Sequence, residues 1–379
     1  MFKKNIFLKN RISVREKENK RLHRVIFFAG LLSLLFFILL KVTSNEKVFV
    51  QYSQTQIRAA EIMKTAVSVI RDFHFKTGKK IDEITDPNHT GLIGSEFSDI
   101  TTTLGHLQAK RTTTSPDFAA LIVQLLDEAG VSTGDTVAFG CSASFPASMI
   151  ASLAATKAME IHPVVIISLG ASSFGANNPD FNLLDIYQLL TREKIFDVQL
   201  AGISLGGEKD VGEDFESHIK QKLIQQIRAS EIPFIYESNI YNSVKKRMSI
   251  YLGSQTNERI SAFINCGGSQ ANMGSSGLVL KVKPGLNKEI VELPPVDERG
   301  VIFKMAALGI PVIHLLYIKG LVLKHGLPWD PIPLPDPGES EIYFSKSKST
   351  IVFWLIAVTY FLVLFLLIIY GRKINSKLL

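Results

Sequence analysis

Apolar residues in this 379-residue chain fall into two kinds of pattern. Near each end lies an unbroken run. Val25 to Leu40 reads VIFFAGLLSLLFFILL, and Ile351 to Tyr370 reads IVFWLIAVTYFLVLFLLIIY, neither with a charge. A bilayer core takes about 20 apolar residues of helix, within a range of about 17–25. The second run meets that length. The first reaches it with Val42, because Lys41 can carry its ammonium to the interface. Membrane helices are therefore expected over 25–42 and 350–370. The alternative for the first, a signal peptide, is disfavoured by its long charged lead-in and by KVTSNEK, which lacks a small-x-small cleavage pattern.

Between the runs, apolar positions come in short groups. Ile57, Met63, Val67, Ile70 and Phe73 recur at helical spacing. This segment, within 43–90, is expected to pack on the domain or to form a stalk. Over 91–325 the periods alternate. Helices are expected at 116–129 (Ser115 capping, Pro116 at the first position, Gly130 ending it), Ala147–Met159, Leu183–Lys194, Glu216–Ala229, Tyr241–Tyr251 and Arg299–Leu308. Strands are expected at Thr136–Phe139, Val164–Leu169, Val198–Ile203, Pro233–Tyr236, Ala262–Asn265 and Pro311–Leu316, with a hairpin of Leu278–Val282 and Glu289–Leu293. VVIISL is apolar throughout, as a strand buried on both faces requires. The alternation predicts an α/β domain with a doubly wound, mainly parallel sheet. Residues 326–349, with GLPWDPIPLPDPGE, read as an extended linker to the second membrane helix.

Charge refines this picture. The formal net charge of +7 would suggest a nucleic-acid partner if it lay on the folded domain. Residues 1–24 alone carry nine Lys/Arg against two Glu, and 371–379 carry three more cations, leaving −3 for residues 25–370. Nucleic acid is therefore not expected as a partner. Short basic flanks stay cytoplasmic, so both tails are expected inside and the central domain outside.

Ligands of open α/β sheets bind beyond the carboxyl ends of the strands. Three strand-end loops there are rich in small polar residues: Gly140 to Pro146, Gly170 to Asp180 and Asn265 to Asn272. Their candidate ligand-binding residues are Gly140, Ser172, Ser173, Asn177, Asn178, Asp180, Cys266, Gly267 and Gly268, joined by Lys110 and Arg111 from the segment before the first capped helix. Candidate catalytic residues are Cys141, Ser142 and Ser144 as nucleophiles and His106 as a base. Small residues also serve close packing, and His106 also fits a solvated loop. His314, inside an apolar strand, reads as a core histidine. Cys141 and Cys266 each end a strand, and inert thiols, a disulfide, or a nucleophile or metal ligand all remain open. No dinucleotide or phosphate-loop fingerprint occurs, and no His/Cys/Asp group has metal-ligand spacing, so neither cofactor nor metal is expected.

Four blocks carry a family resemblance: GLIGSEFSDITTTLGHLQAKRTTTSPDFAALIVQLL, VAFGCSASFPASMIASLAATKAM, ISLGASSFGANNPDFNLLDIYQLL and HLLYIKGLVLKHGLPWDPIPLP. They resemble the poly-gamma-glutamate system protein, an accessory membrane protein of bacterial poly-γ-glutamate synthesis. The resemblance implies a place in the bacterial cytoplasmic membrane beside synthesis and export proteins, with the polymer or a glutamate-like ligand as a possible contact. It implies no catalytic residues. An extracytoplasmic amide hydrolase or transferase acting on the polymer, and a small-ligand sensor, are the alternative expectations.

Overall fold

The computed structural model describes residues 2–43, 46–253, 259–347 and 350–376. The chain forms two compact units, Val50–Tyr343 and the two ends, Met1–Phe49 with Phe344–Leu379.

In the terminal unit, α1 (Phe2–Thr43) and α11 (Thr350–Ser376) are long helices. Their apolar stretches Asn19–Val42 and Val352–Tyr370 are long and apolar enough to cross a membrane, and none of either stretch is buried by protein. The basic lead-in continues the same helix as the first stretch. Phe36 and Tyr360 pack with ring centroids 5.3 Å apart, and the Ser33 and Tyr360 hydroxyls lie 2.9 Å apart. Glu46–Phe49 and Phe344–Ser347 pair antiparallel.

The central unit is built on a six-stranded sheet. Its strands are β1 (Thr136–Ser142), β2 (His162–Ser168), β3 (Leu200–Ser204), β4 (Ile260–Cys266), β5 (Gly285–Asn287) and β6 (Val312–His314). They lie in the order β5-β6-β4-β1-β2-β3. Only β5 runs antiparallel. From β1 the chain winds outward through β2 to β3. It then returns to the other side of β1 for β4 and β6. The order thus reverses between β1 and β4, which opens a crevice beyond their carboxyl ends.

Helices cover both faces, which is why β1 is buried at every position. On one face α2 (Ser53–Lys76), α4 (Asp117–Glu128) and α5 (Pro146–Met159) pack on one another. On the other, α8 (Ile240–Gly253) and α9 (Val301–Ala307) close a core with Ala138, Ile166, Phe263 and Val312. Further helices are α3 (Leu107–Thr113), α6 (Leu183–Arg192), α7 (Ser217–Ala229) and α10 (Ile318–Lys324). The sequence-predicted doubly wound, mainly parallel sheet is thus present.

Several expectations change. No hairpin forms from Leu278–Val282 and Glu289–Leu293. Gly277–Lys281 is a 3-10 helix, and the antiparallel strand is β5. Burial falls on Val279 and Val282, three residues apart, as a 3-10 turn requires and a strand does not. Pro233–Tyr236 makes one bridge, Phe234 to Ile203, rather than a strand. Ser115 does not cap α4. Pro116 takes that position, and the Ser115 Oγ is buried without a partner among the described residues.

The segment before the domain is no stalk. α2 buries Ala59, Ala60, Met63, Ala66 and Ile70 completely. Nor is the proline-rich stretch a free spacer up to Tyr343. Arg111 grips Asp330 with two hydrogen bonds, and Ser340 and Tyr343 both donate to the Asp117 carboxylate. A buried carboxylate needs such donors, and they hold the strap against α4.

Candidate functional site

The crevice between β1 and β4 opens into a cavity of about 560 Å³. Ser142 lines it from the end of β1, Ser144 and Phe145 from the loop that follows, Gly170 and Ser172 from that after β2, and Gly268, Ser269 and Gln270 from that after β4. The three loops singled out in the sequence therefore meet. A fourth was missed: Gly206, Gly207, Glu208 and Asp214 follow β3 and line the cavity too, with Gly206 and Gly207 against Gly170. The strand-end rule applied to Gly206-Gly207 would have found it.

Alternation along the strands decides which side chains reach the cavity. Ser142 ends β1 on the cavity side. It is 2% exposed, and its Oγ has no hydrogen-bond partner among the described residues. Gly267, at φ 117°, makes room for it, since a Cβ there would stand 2.2 Å from the Ser142 Oγ. Gly140 is required likewise: a Cβ would lie 2.4 Å from the Asn272 amide, which donates to the Gly140 carbonyl at 2.8 Å and to Asn265 Oδ1 at 2.9 Å. Asn265 in turn donates to the Gly267 carbonyl (2.7 Å) and lies 3.1 Å from His314 Nδ1. Burial draws His314 down to about 4, so it is a neutral core histidine.

Cys141 and Cys266 face the other way. They are register partners on adjacent strands, and both are free thiols. The Cys266 Sγ lies 3.4 Å from Ser152 Oγ and 3.8 Å from the Ser148 carbonyl, under α5. Burial pushes the Cys141 thiol well up, so it stays protonated at neutral pH. Neither thiol lines the cavity. His106 is exposed at the start of α3 and is not among its lining residues either.

Lys110 is 2% exposed, beneath the floor. Its Nζ lies 2.7 Å from Ser172 Oγ, donates to the Ser144 carbonyl, and sits 3.7 Å from the centre of the Phe145 ring. Ser144 Oγ accepts from the Ser172 N–H at 2.9 Å, tying the two loops together. Arg111, by contrast, is committed to Asp330.

The chain matches no family model, no curated protein and no solved structure.

The rest of the second loop leads elsewhere. Ser173 stitches to the Thr103 carbonyl through its N–H at 2.9 Å. Asn177 donates to the Ser95 carbonyl and to Thr101 Oγ1, both at 2.8 Å, and lines a second cavity with Asn178. Asn178 Oδ1 accepts from the Asp180 N–H at 2.9 Å in an exposed turn. Asp180 pairs with Lys222 of α7, whose hydrogen bond and charge hold its carboxyl below the usual range. The cavity between β1 and β4 is lined by two carboxylates, Glu208 and Asp214, and its described lining includes no Lys or Arg.

Proposed function

We propose that this is a membrane-anchored accessory protein of poly-γ-glutamate synthesis or export, lying in the bacterial cytoplasmic membrane with both tails inside and the α/β unit outside. Its cavity between β1 and β4 takes a glutamate-like or γ-glutamyl ligand. The observation that carries the ligand site is the Ser142 hydroxyl, buried at the switch point of the sheet without a partner among the described residues. Such a group costs about 1–3 kcal/mol unless something outside the fold completes it. A ligand oxygen does so, and Glu208 and Asp214 suit the ammonium of an amino-terminal glutamyl unit. An acidic wall disfavours bulk attraction of a polyanion, so one chain end or a small ligand fits better than the polymer's length.

The pathway rests on the resemblance of the four blocks. They supply nine of the sixteen residues that line the cavity, among them Thr102, Ser142, Ser172 and Leu316. The orientation rests on the basic flanks of the two apolar helices.

Titration of the detergent-solubilised full chain with γ-glutamyl oligopeptides tests the ligand. Binding is expected, weakened about 5–10-fold in Ser142→Ala by loss of one hydrogen bond. No heat at millimolar ligand, with unchanged polymer output in cells lacking the gene, overturns the reading. A reporter enzyme that works only outside the cytoplasm tests the orientation. It should be active in the central unit and silent after Leu379.

A further inference from the structure

A buried lysine without a carboxylate is an expensive feature. Lys110 has no ion-pair partner among the described residues, and desolvation is the force acting on its charge. As an ammonium it donates to a carbonyl, a hydroxyl and a ring face; on losing one proton it keeps two N–H donors and gains one lone pair. The Ser144 carbonyl takes one N–H and the face of the Phe145 ring the other. The third neighbour, the Ser172 hydroxyl at 2.7 Å, is the only one of the three with a proton to give to the lone pair.

We infer that Ser172 and Lys110 are a nucleophile and base for acyl transfer, with Ser172 Oγ attacking the carbonyl of an amide or ester held in the cavity. Ser172 lines that cavity, and Lys110 lies directly behind it, buried, with its Nζ in reach of the Ser172 Oγ. Burial draws the Lys110 ammonium down to about 7, so the free amine is accessible at neutral pH. Gly105 lets the pair approach: a Cβ there would lie 3.1 Å from Ser172 Oγ and 3.2 Å from Lys110 Cε. Ser142 and Ser144 place two further hydroxyls on the same walls, available as donors to the developing oxyanion.

In the forward step, the Ser172 Oγ–H proton passes to Lys110 Nζ as the Oγ–C bond forms. The C–N or C–O bond of the substrate then breaks, and the Lys110 ammonium returns the proton to the leaving amine or alcohol. Water attacks the acyl-Ser172 carbonyl, giving one proton to Lys110. The Ser172 Oγ leaves and takes that proton back. The sum is one amide or ester plus water giving acid and amine or alcohol. This assignment depends on neither the poly-γ-glutamate pathway nor a γ-glutamyl ligand.

The test is covalent labelling of the detergent-solubilised full chain with a fluorophosphonate, read by intact mass and peptide mapping. A single adduct on Ser172 is expected, forming faster as pH rises through about 7. Ser172→Ala should give none, and Lys110→Met should label at least about 100-fold more slowly while keeping its circular dichroism. Should Lys110→Met lose its fold, the wild-type pH profile decides. No adduct, an adduct on Ser142 or Ser144 instead, a rate flat between about pH 6 and 8.5, or a folded Lys110→Met labelling within about threefold of wild type overturns the assignment.

Discussion

Asp210→Asn is expected to be among the most damaging isosteric changes in the central unit. Asp210 and Arg247 are 1% and 0% exposed, and Arg247 Nη2 donates to both carboxylate oxygens, at 2.8 and 3.1 Å. Ser204 and Ser243 add hydrogen bonds of 2.7 and 2.5 Å to the same carboxylate. Nε and Nη1 of Arg247 are already buried without hydrogen-bond partners among the described residues, so the guanidinium depends on Asp210 for its counter-charge. The asparagine keeps the shape and tolerates the left-handed backbone (φ 65°) of this position, so the change isolates the charge. Breaking a buried pair on one side costs about 3–5 kcal/mol. In a unit of this size about 2 °C of melting temperature is lost per kcal/mol, so Tm should fall by about 6–10 °C. Adding Arg247→Met removes the stranded charge, and the double variant should melt above Asp210→Asn alone. Thermal unfolding of the full chain in detergent, followed by circular dichroism, makes the comparison. A loss under about 2 °C, or a double variant no better than the single, refutes the reasoning. Because the same pair fixes the loop carrying Gly206, Gly207, Glu208 and Asp214, the variant should also weaken any ligand of the cavity.

Two further outcomes follow from buried polar groups. His314 has a folded pKa of about 4 against about 6.5 unfolded, so between those values the unfolded chain binds the extra proton. Stability is then whole above about pH 6.5 and falls by about 3 kcal/mol as pH drops toward 4; His314→Asn should lack that slope in urea titrations, and parallel curves for the two proteins would contradict the assignment. Tyr343→Phe removes one of two hydroxyls donating to the buried Asp117 carboxylate and should cost about 1.5–3 kcal/mol. Proteolysis should then cut the strap around Asp330 faster than in wild type, and an unchanged rate would mean the strap is held without Tyr343.

Much of the architecture is legible along the chain because burial leaves a local signature. A helix facing lipid must be apolar all round, and a strand covered on both faces must be apolar throughout. VVIISL and the two terminal runs satisfy these demands residue by residue, so their positions could be read directly. The helical stripes of α4 and α6 were legible for the same reason. The hairpin failed because Leu278, Leu280 and Val282 alternate as a strand does, while the fold buries Val279 with Val282 and leaves Leu280 exposed.

Sequence by itself determined the two apolar helices, the charge that separates tails from domain, the alternation of strands and helices, and the three polar loops at strand ends. Strand order, and with it the crevice between β1 and β4, was decided only by tertiary structure, because nothing local tells a strand which neighbour it will have. The same holds for each side chain's role. One-residue alternation turned Ser142 to the cavity and Cys141 to the core, and Arg111 was claimed by Asp330, 219 residues away. Lys110 met Ser172 across 62 residues. In sequence it stands in a polar segment that looks solvated. Only the packed fold removes its water, and the loss of that water gives a surface-type residue the properties of a base.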